Sequence, residues 1–194
     1  MKKYLIAAFF IVCTTFLLKS QGVFFAKASG GVSYVEKDSN TIAQNGSYEV
    51  AGSLTTTRYV ASKFLTTSAY NLNKVDVYLA KVGSPTNDII CEIWTVDGSN
   101  LPGALVGSSS AAVNAATFAA SEGVVSFFPT ATLANATEYF IVLRSATNSA
   151  TDYTLWYRNT DGTVERIANT DNPGTGWVGV ATTRQCKFKT YGDS

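Results

Sequence analysis

No histidine occurs anywhere in the 194 residues. That excludes a Ser-His-Asp triad, a Cys-His pair and any histidine-ligated zinc or iron site. Cysteine is scarce as well: Cys13, Cys91 and Cys186 are the only three, and no C-x-x-C spacing is present to hold a metal. Charged residues make up only 15% of the chain, and Lys and Arg are scattered rather than clustered. Nucleic acid is therefore not an expected partner, since its electrostatic footprint is a basic patch. No internal repeat is visible. Carboxylates remain as possible catalytic groups, and glycoside hydrolysis would need two of them at a set separation. Glu92, Glu138, Glu165, Asp97, Asp152 and Asp161 are available, but none stands in a recognisable motif. No enzymatic activity and no cofactor are expected.

The first residues read as an export signal. Lys2 and Lys3 form a positive start, Tyr4 to Leu18 is an apolar run, and Ala26-Lys27-Ala28 fits a small-x-small cleavage site before Ser29. Lys19 interrupts the apolar run, which is short of the roughly 20 residues a spanning helix needs. Cleavage and secretion are expected. The alternative is an uncleaved N-terminal anchor, the only way this reading reaches a membrane. Four lysines and no acid lie in residues 1–28. The 15 basic residues less these four leave 11 against 14 acidic, a net of −3 for the mature chain. The chain stops at Gly192-Asp193-Ser194 with no apolar tail, so a C-terminal anchor is not expected.

Three regions follow: a signal at residues 1–28, a flexible Ser/Thr/Gly-rich segment at 29–57, and a β-domain at 58–194. In the domain, Tyr59 to Leu65, Val75 to Leu79, Ile89 to Val96, Val124 to Phe128, Glu138 to Arg144, Tyr153 to Arg158 and Arg184 to Tyr191 read as strands, and Trp177 to Val180 as a short one. Ala111 to Ser121 reads as a loop with an edge strand. Gly83 to Asp88 and Asp97 to Gly103 are dense turn signals, and Pro129 stops the strand before it. Many short strands between close turns predict an all-β fold, a single antiparallel β-sandwich of jelly-roll type.

The ordered series Val77-Tyr78-Leu79-Ala80-Lys81-Val82-Gly83-Ser84-Pro85-Thr86, Ile93-Trp94-Thr95, Leu101-Pro102-Gly103 with Leu105, Gly107 and Ser108, then Leu133 to Leu143 and Cys186 to Gly192, resembles the choice-of-anchor R domain family. The likeness spans residues 58 to 192. It implies an extracellular jelly-roll-like sandwich exposed at a cell surface, and carries no catalytic residues over.

Period-two alternation places Cys91 on one face with Ile89 and Ile93, and Cys186 on one face with Phe188. Both point inward. In an exported protein the expected outcome is a Cys91–Cys186 disulfide; two separate buried thiols are the alternative. Large rings are the best lead to a ligand. Trp94, Trp156, Trp177, Tyr153 and Tyr157 are candidate binding residues, because an exposed flat ring stacks on a sugar face or a partner surface. For Trp156, between Leu155 and Tyr157, a core position is the stronger reading. Asp97, Asn100 and Asp161 offer oxygen ligands for calcium, although such residues are ordinarily plain turn chemistry.

The expected function is a non-catalytic binding module, secreted or at the cell surface, with a glycan or surface-protein partner and an adhesive role. The alternative is a structural subunit of an extracellular filament or surface layer. Self-association would then follow from Gly46-Ser47-Tyr48-Glu49-Val50-Ala51, a strand-length segment able to pair with a sheet edge of its own domain or of the next subunit.

Overall fold

The structure is a computed structural model and describes residues 34–43, 45–51, 59–145, 149–159, 166–170, 176–181 and 183–193. The expected signal at residues 1–28 and the turn residue Asp161 lie outside these. The described residues form fifteen strands: β1 (Val35–Asn40), β2 (Gly46–Val50), β3 (Tyr59–Leu65), β4 (Tyr70–Val82), β5 (Asp88–Val96), β6 (Pro102–Val106), β7 (Val113–Asn114), β8 (Gly123–Phe127), β9 (Ala131–Leu133), β10 (Glu138–Ser145), β11 (Tyr153–Asn159), β12 (Ile167–Thr170), β13 (Val178–Ala181), β14 (Gln185–Cys186) and β15 (Phe188–Asp193). Among them the only helical piece is a single 3₁₀ turn, Ala115–Thr117.

Two antiparallel sheets give an all-β, sandwich-like fold. The first runs β1-β15-β4-β11-β14, with β2 on β11 and with β8 and β9 on β4. The second runs β13-β12-β3-β10-β5-β6, with β7 on β5. Alternation sets which side chains meet between them. Val75, Val77 and Leu79 of β4, Ile89, Cys91 and Ile93 of β5, and Ile141 and Leu143 of β10 are all fully buried in one core with Phe64, Phe127, Trp156 and Phe188. Each such aliphatic or aromatic side chain contributes about 1.5–3 kcal/mol by leaving water. The pairing shifts at Asn73 of β4, where Tyr191 faces Lys74 and Gly192 faces Leu72. One extra residue restores the phase, so Tyr70 and Leu72 also point inward.

Segment 29–57 holds two strands where the sequence suggests one at most. β2, within the Gly46 to Ala51 stretch, pairs with β11 of its own chain, Tyr48 facing Trp156. β1 pairs with β15 and was not anticipated. Its sequence, Val-Glu-Lys-Asp-Ser-Asn, carries no apolar alternation, and its buried positions are polar: Asp38 and Asn40. Asp38 Oδ1 accepts from the Thr67 amide at 2.9 Å and the Thr67 hydroxyl at 2.7 Å. Its Oδ2 lies 2.9 Å from the Tyr70 hydroxyl, and its amide donates to Thr190 Oγ1 at 3.0 Å. Burial, with Asp38 alongside, raises the Tyr70 pKa above its ordinary value. Asn40 Nδ2 donates to the Cys186 carbonyl at 3.2 Å, and Asn159 Nδ2 donates to Asn40 Oδ1 at 2.7 Å. Each buried polar group of β1 thus has a partner, which burial requires.

The expected Cys91–Cys186 disulfide is not formed: both residues are free, fully buried thiols. The reason is their placement. The amide of Cys186 donates to Ser62 Oγ of β3 at 2.9 Å, while Cys91 lies on β5, with β10 between β3 and β5. Two strand spacings come to roughly 10 Å, whereas a bridge needs Cα atoms within about 7 Å. Burial pushes both thiols well above their ordinary pKa, so each packs as a small apolar side chain.

Candidate functional site: two outer faces

Each sheet turns one face to the core and the other outward. The two outward faces gather the aromatic and charged residues, in contrasting ways.

On the second sheet, register builds rows across β3, β10 and β5. Lys63 faces Phe140, and Phe140 faces Trp94; Ala61 faces Val142, and Val142 faces Glu92. Phe140, Val142, Ala61, Ala168 and Trp177 form a separate buried cluster, with Tyr59, Trp94, Val96 and Leu101 half-buried against it. Trp177, just before β13, packs edge-on to Trp94 at 5.9 Å between ring centroids and edge-on to Tyr59 at 6.2 Å. It keeps 9% of its surface exposed, and its indole Nε1 is buried with no hydrogen-bond partner. Charges flank the cluster. The buried Glu92 carboxylate accepts from Trp94 Nε1 at 2.9 Å, Arg144 Nε at 2.7 Å and Ser109 Oγ at 2.8 Å. Lys63 donates to Glu138 Oε1 at 2.7 Å and to Asn100 Oδ1 at 3.2 Å.

On the first sheet, tyrosines and lysines alternate in space. Lys74 Nζ sits 4.5 Å from the Tyr191 ring centroid and 5.4 Å from that of Tyr34, and forms an ion pair with Asp76 at 3.1 Å. Ser126 Oγ donates to Asp76 Oδ1 at 2.6 Å. Burial, with Asp76 alongside, raises the Tyr191 pKa. Lys187 Nζ lies 4.5 Å from the Tyr78 ring centroid and bonds Glu122. Lys189 bonds Glu36 at 2.8 Å, which lowers the Glu36 pKa below the ordinary carboxylate value. Tyr34 and Phe128 meet at 6.1 Å and stay 43% and 52% exposed, with Val124 at 55%.

The five aromatic candidates from the sequence separate accordingly. Trp156 is fully buried, its Nε1 donating to the Lys187 carbonyl at 3.0 Å. It is a core residue and offers no ring to a ligand. Trp94 and Trp177 come together but pack edge-on against each other. Tyr153 and Tyr157 are half-buried and lie opposite the side of Trp156, on the outer face of the first sheet. Sequence reasoning missed Tyr34, Phe128, Tyr78 and Tyr191. The alternation of Val75, Val77 and Leu79 already implied an outward Tyr78, whereas Lys74 between two rings needs strands from both ends of the chain.

Of the oxygen ligands considered for calcium, the two that are described, Asp97 and Asn100, are engaged within the chain. Asp97 Oδ1 accepts from the amides of Ser99 and Leu101, both at 2.8 Å, an Asx turn. Asn100 Oδ1 accepts from Lys63, as above. Among the described residues no three His, Cys, Asp or Glu side chains converge as metal ligands. Depressions of about 380 Å³, lined by Asn71, Asn73, Thr130, Thr132 and Asp193 among others, and about 330 Å³, beside Lys37, Asp38 and Phe188, share no lining residue with either aromatic group.

No protein-family model matches the chain, and no match to it is found among curated proteins.

Proposed function

We propose that the chain is an exported, non-catalytic binding module of jelly-roll type, acting at the cell surface or outside the cell, and that it takes a glycan or surface partner on the outer face of its first sheet. The observation that carries this reading is the exposure of Tyr34, Phe128 and Val124 beside Lys74 and Asp76. Exposed rings stack on the C–H faces of sugars or on a partner's apolar surface, at little cost in side-chain entropy. Flanking charges supply the few directional bonds that fix orientation. Tyr153 and Tyr157 extend the same face. Export is supported by Lys2, Lys3 and the apolar run after them, and the surface role by the ordered motifs that resemble the choice-of-anchor R family. The reading requires no cofactor.

A glycan array, together with binding to whole-cell surfaces, tests this. Wild-type protein is expected to bind, with Tyr34→Ala and Phe128→Ala losing binding at an unchanged melting temperature. If the wild type binds neither, or if both variants bind like the wild type, the first-sheet face is not the binding site.

A further inference from the structure

The second sheet places a lysine amine, a side-chain carboxamide and a carboxylate together. Lys63 lies on β3, and its side chain is only 5% exposed. Its Nζ bonds Asn100 Oδ1 at 3.2 Å and Glu138 Oε1 at 2.7 Å. The stem runs beside Phe140, its cross-strand partner, at the margin of the apolar cluster that includes Val96 and Leu101. Asn100 sits at positive φ (59°) in the turn between β5 and β6. That turn is pinned by the Asp97 carboxylate and by the Asn100 amide donating to the Asp97 carbonyl at 3.0 Å. Glu138 opens β10, the strand between β3 and β5, and the Lys63 amine bonds both it and Asn100.

We propose that Lys63 and Asn100 form an intramolecular isopeptide bond, with Glu138 carrying the protons. A lysine held out of water beside a carboxylate can pass its extra proton on and become a nucleophile, and a fixed separation near van der Waals contact replaces a bimolecular encounter. The Lys63 ammonium gives one proton to the Glu138 carboxylate, leaving a neutral amine. Nζ attacks Cγ of Asn100; the Nζ–Cγ bond forms and an electron pair moves onto Oδ1. The Glu138 carboxyl group protonates Nδ2, and the carboxylate so formed takes the second proton from Nζ. The electron pair returns from Oδ1, the Cγ–Nδ2 bond breaks and ammonia leaves. Ammonia then takes the proton from Glu138 and departs as ammonium. One ammonium and one carboxamide become one secondary amide and one ammonium ion; nothing is oxidised or reduced. The product ties β3 to the β5–β6 turn across β10, which lies between them.

Intact mass spectrometry of the folded full chain, referenced to its observed N-terminus, reads the outcome. The wild type is expected to be lighter than its sequence by one ammonia, and digestion is expected to yield a branched peptide joining Lys63 to Asn100. Asn100→Ala and Glu138→Gln are expected at full sequence mass, with thermal melts showing that both remain folded. Full mass in the wild type after prolonged incubation would overturn the proposal and leave an ion pair capping a turn. So would loss of ammonia with Lys63 recovered in an ordinary linear peptide, since a succinimide at Asn100 loses the same mass. A crosslink that persists in Glu138→Gln would overturn the role of Glu138.

Discussion

The two outer faces hold similar residues and use them in opposite ways. On the second sheet, a tryptophan delivered from beside β13 closes over Trp94, Phe140 and Tyr59, and the face becomes a second small core. On the first sheet, lysines lie over tyrosine rings while Tyr34, Phe128 and Val124 remain open to solvent. Aromatic content therefore does not by itself separate a closed face from an open one in this chain. What separates them is whether another segment arrives to cover the rings. The sheets differ in assembly too. The first relies on β1 and β2 from the N-terminal segment, while the second is built entirely from residues after 58.

That contrast is sharpest for deletion. Removing residues 34–51 strips β1 and β2 from the first sheet, takes Asp38 away from Tyr70 and Thr190, which still bond each other, and takes Asn40 away from Asn159. The expected loss is on the order of 5 kcal/mol, a third or more of the roughly 5–15 kcal/mol that holds an ordinary domain folded. Urea denaturation measures it; an unchanged midpoint would mean that both strands are appendages.

Next in size is Trp177→Ala. Truncating a large ring in the closed face is expected to cost about 3 kcal/mol, whereas Phe128→Ala on the open face should cost less than about 1 kcal/mol. Comparable losses at both sites would erase the distinction between the faces.

Glu92→Ala removes a buried carboxylate and leaves Trp94 Nε1 and Arg144 Nε without an acceptor. Roughly 2 kcal/mol of destabilisation is expected, because donors left unpaired in a half-buried setting cost more than their hydrogen bonds contributed. The same chemical denaturation experiment reports it.

The smallest effect belongs to the Glu36–Lys189 pair, at the exposed margin of the first sheet. The folded pKa of Glu36 is depressed by the hydrogen bond from Lys189, so its contribution is present above the ordinary carboxylate value of 4.5 and is lost as pH falls through the lower folded value. Melting curves of wild type and Glu36→Gln are expected to differ slightly at neutral pH and to converge in acid. A difference that persists at low pH would remove the ion pair as its cause.

Much of this architecture was readable in advance, and the parts that were not have physical reasons. β3 spans Tyr59–Leu65 as its alternation implies, and β5 carries Ile89, Cys91 and Ile93 inward with Glu92 and Trp94 outward, because one face of each strand is buried. β1 was hidden because what it buries is a carboxylate and an amide, to which hydrophobic periodicity is blind. β6 begins at Pro102 within a run of turn residues, and the short β9 and β12 lack the length to show a period. Alternation places Cys91 and Cys186 inward, as they are, but parity gives a face and not a neighbour, and the expected bridge would join residues on strands of different sheets. The pairing of Trp94 with Trp177 and the seat of Lys74 between Tyr34 and Tyr191 are tertiary facts, set by strand order.

The pairing of β1 with β15 also decides how the domain would answer to tension. Val35 at the start of β1 lies opposite Gly192 near the end of β15, followed by Glu36 opposite Tyr191 and then Ser39 opposite Lys189. A pull applied at residues 34 and 193 therefore acts on the same end of the ladder, along its hydrogen bonds rather than across them. The bonds are loaded one after another, as a zipper opens, and β1 peels away while the core between the sheets carries little of the force. Lys63, Asn100 and the closed aromatic face stand off that line of load. Stretched by its two ends, the domain would yield first at this seam, where the Asp38 amide meets Thr190, and would lengthen before it unfolds.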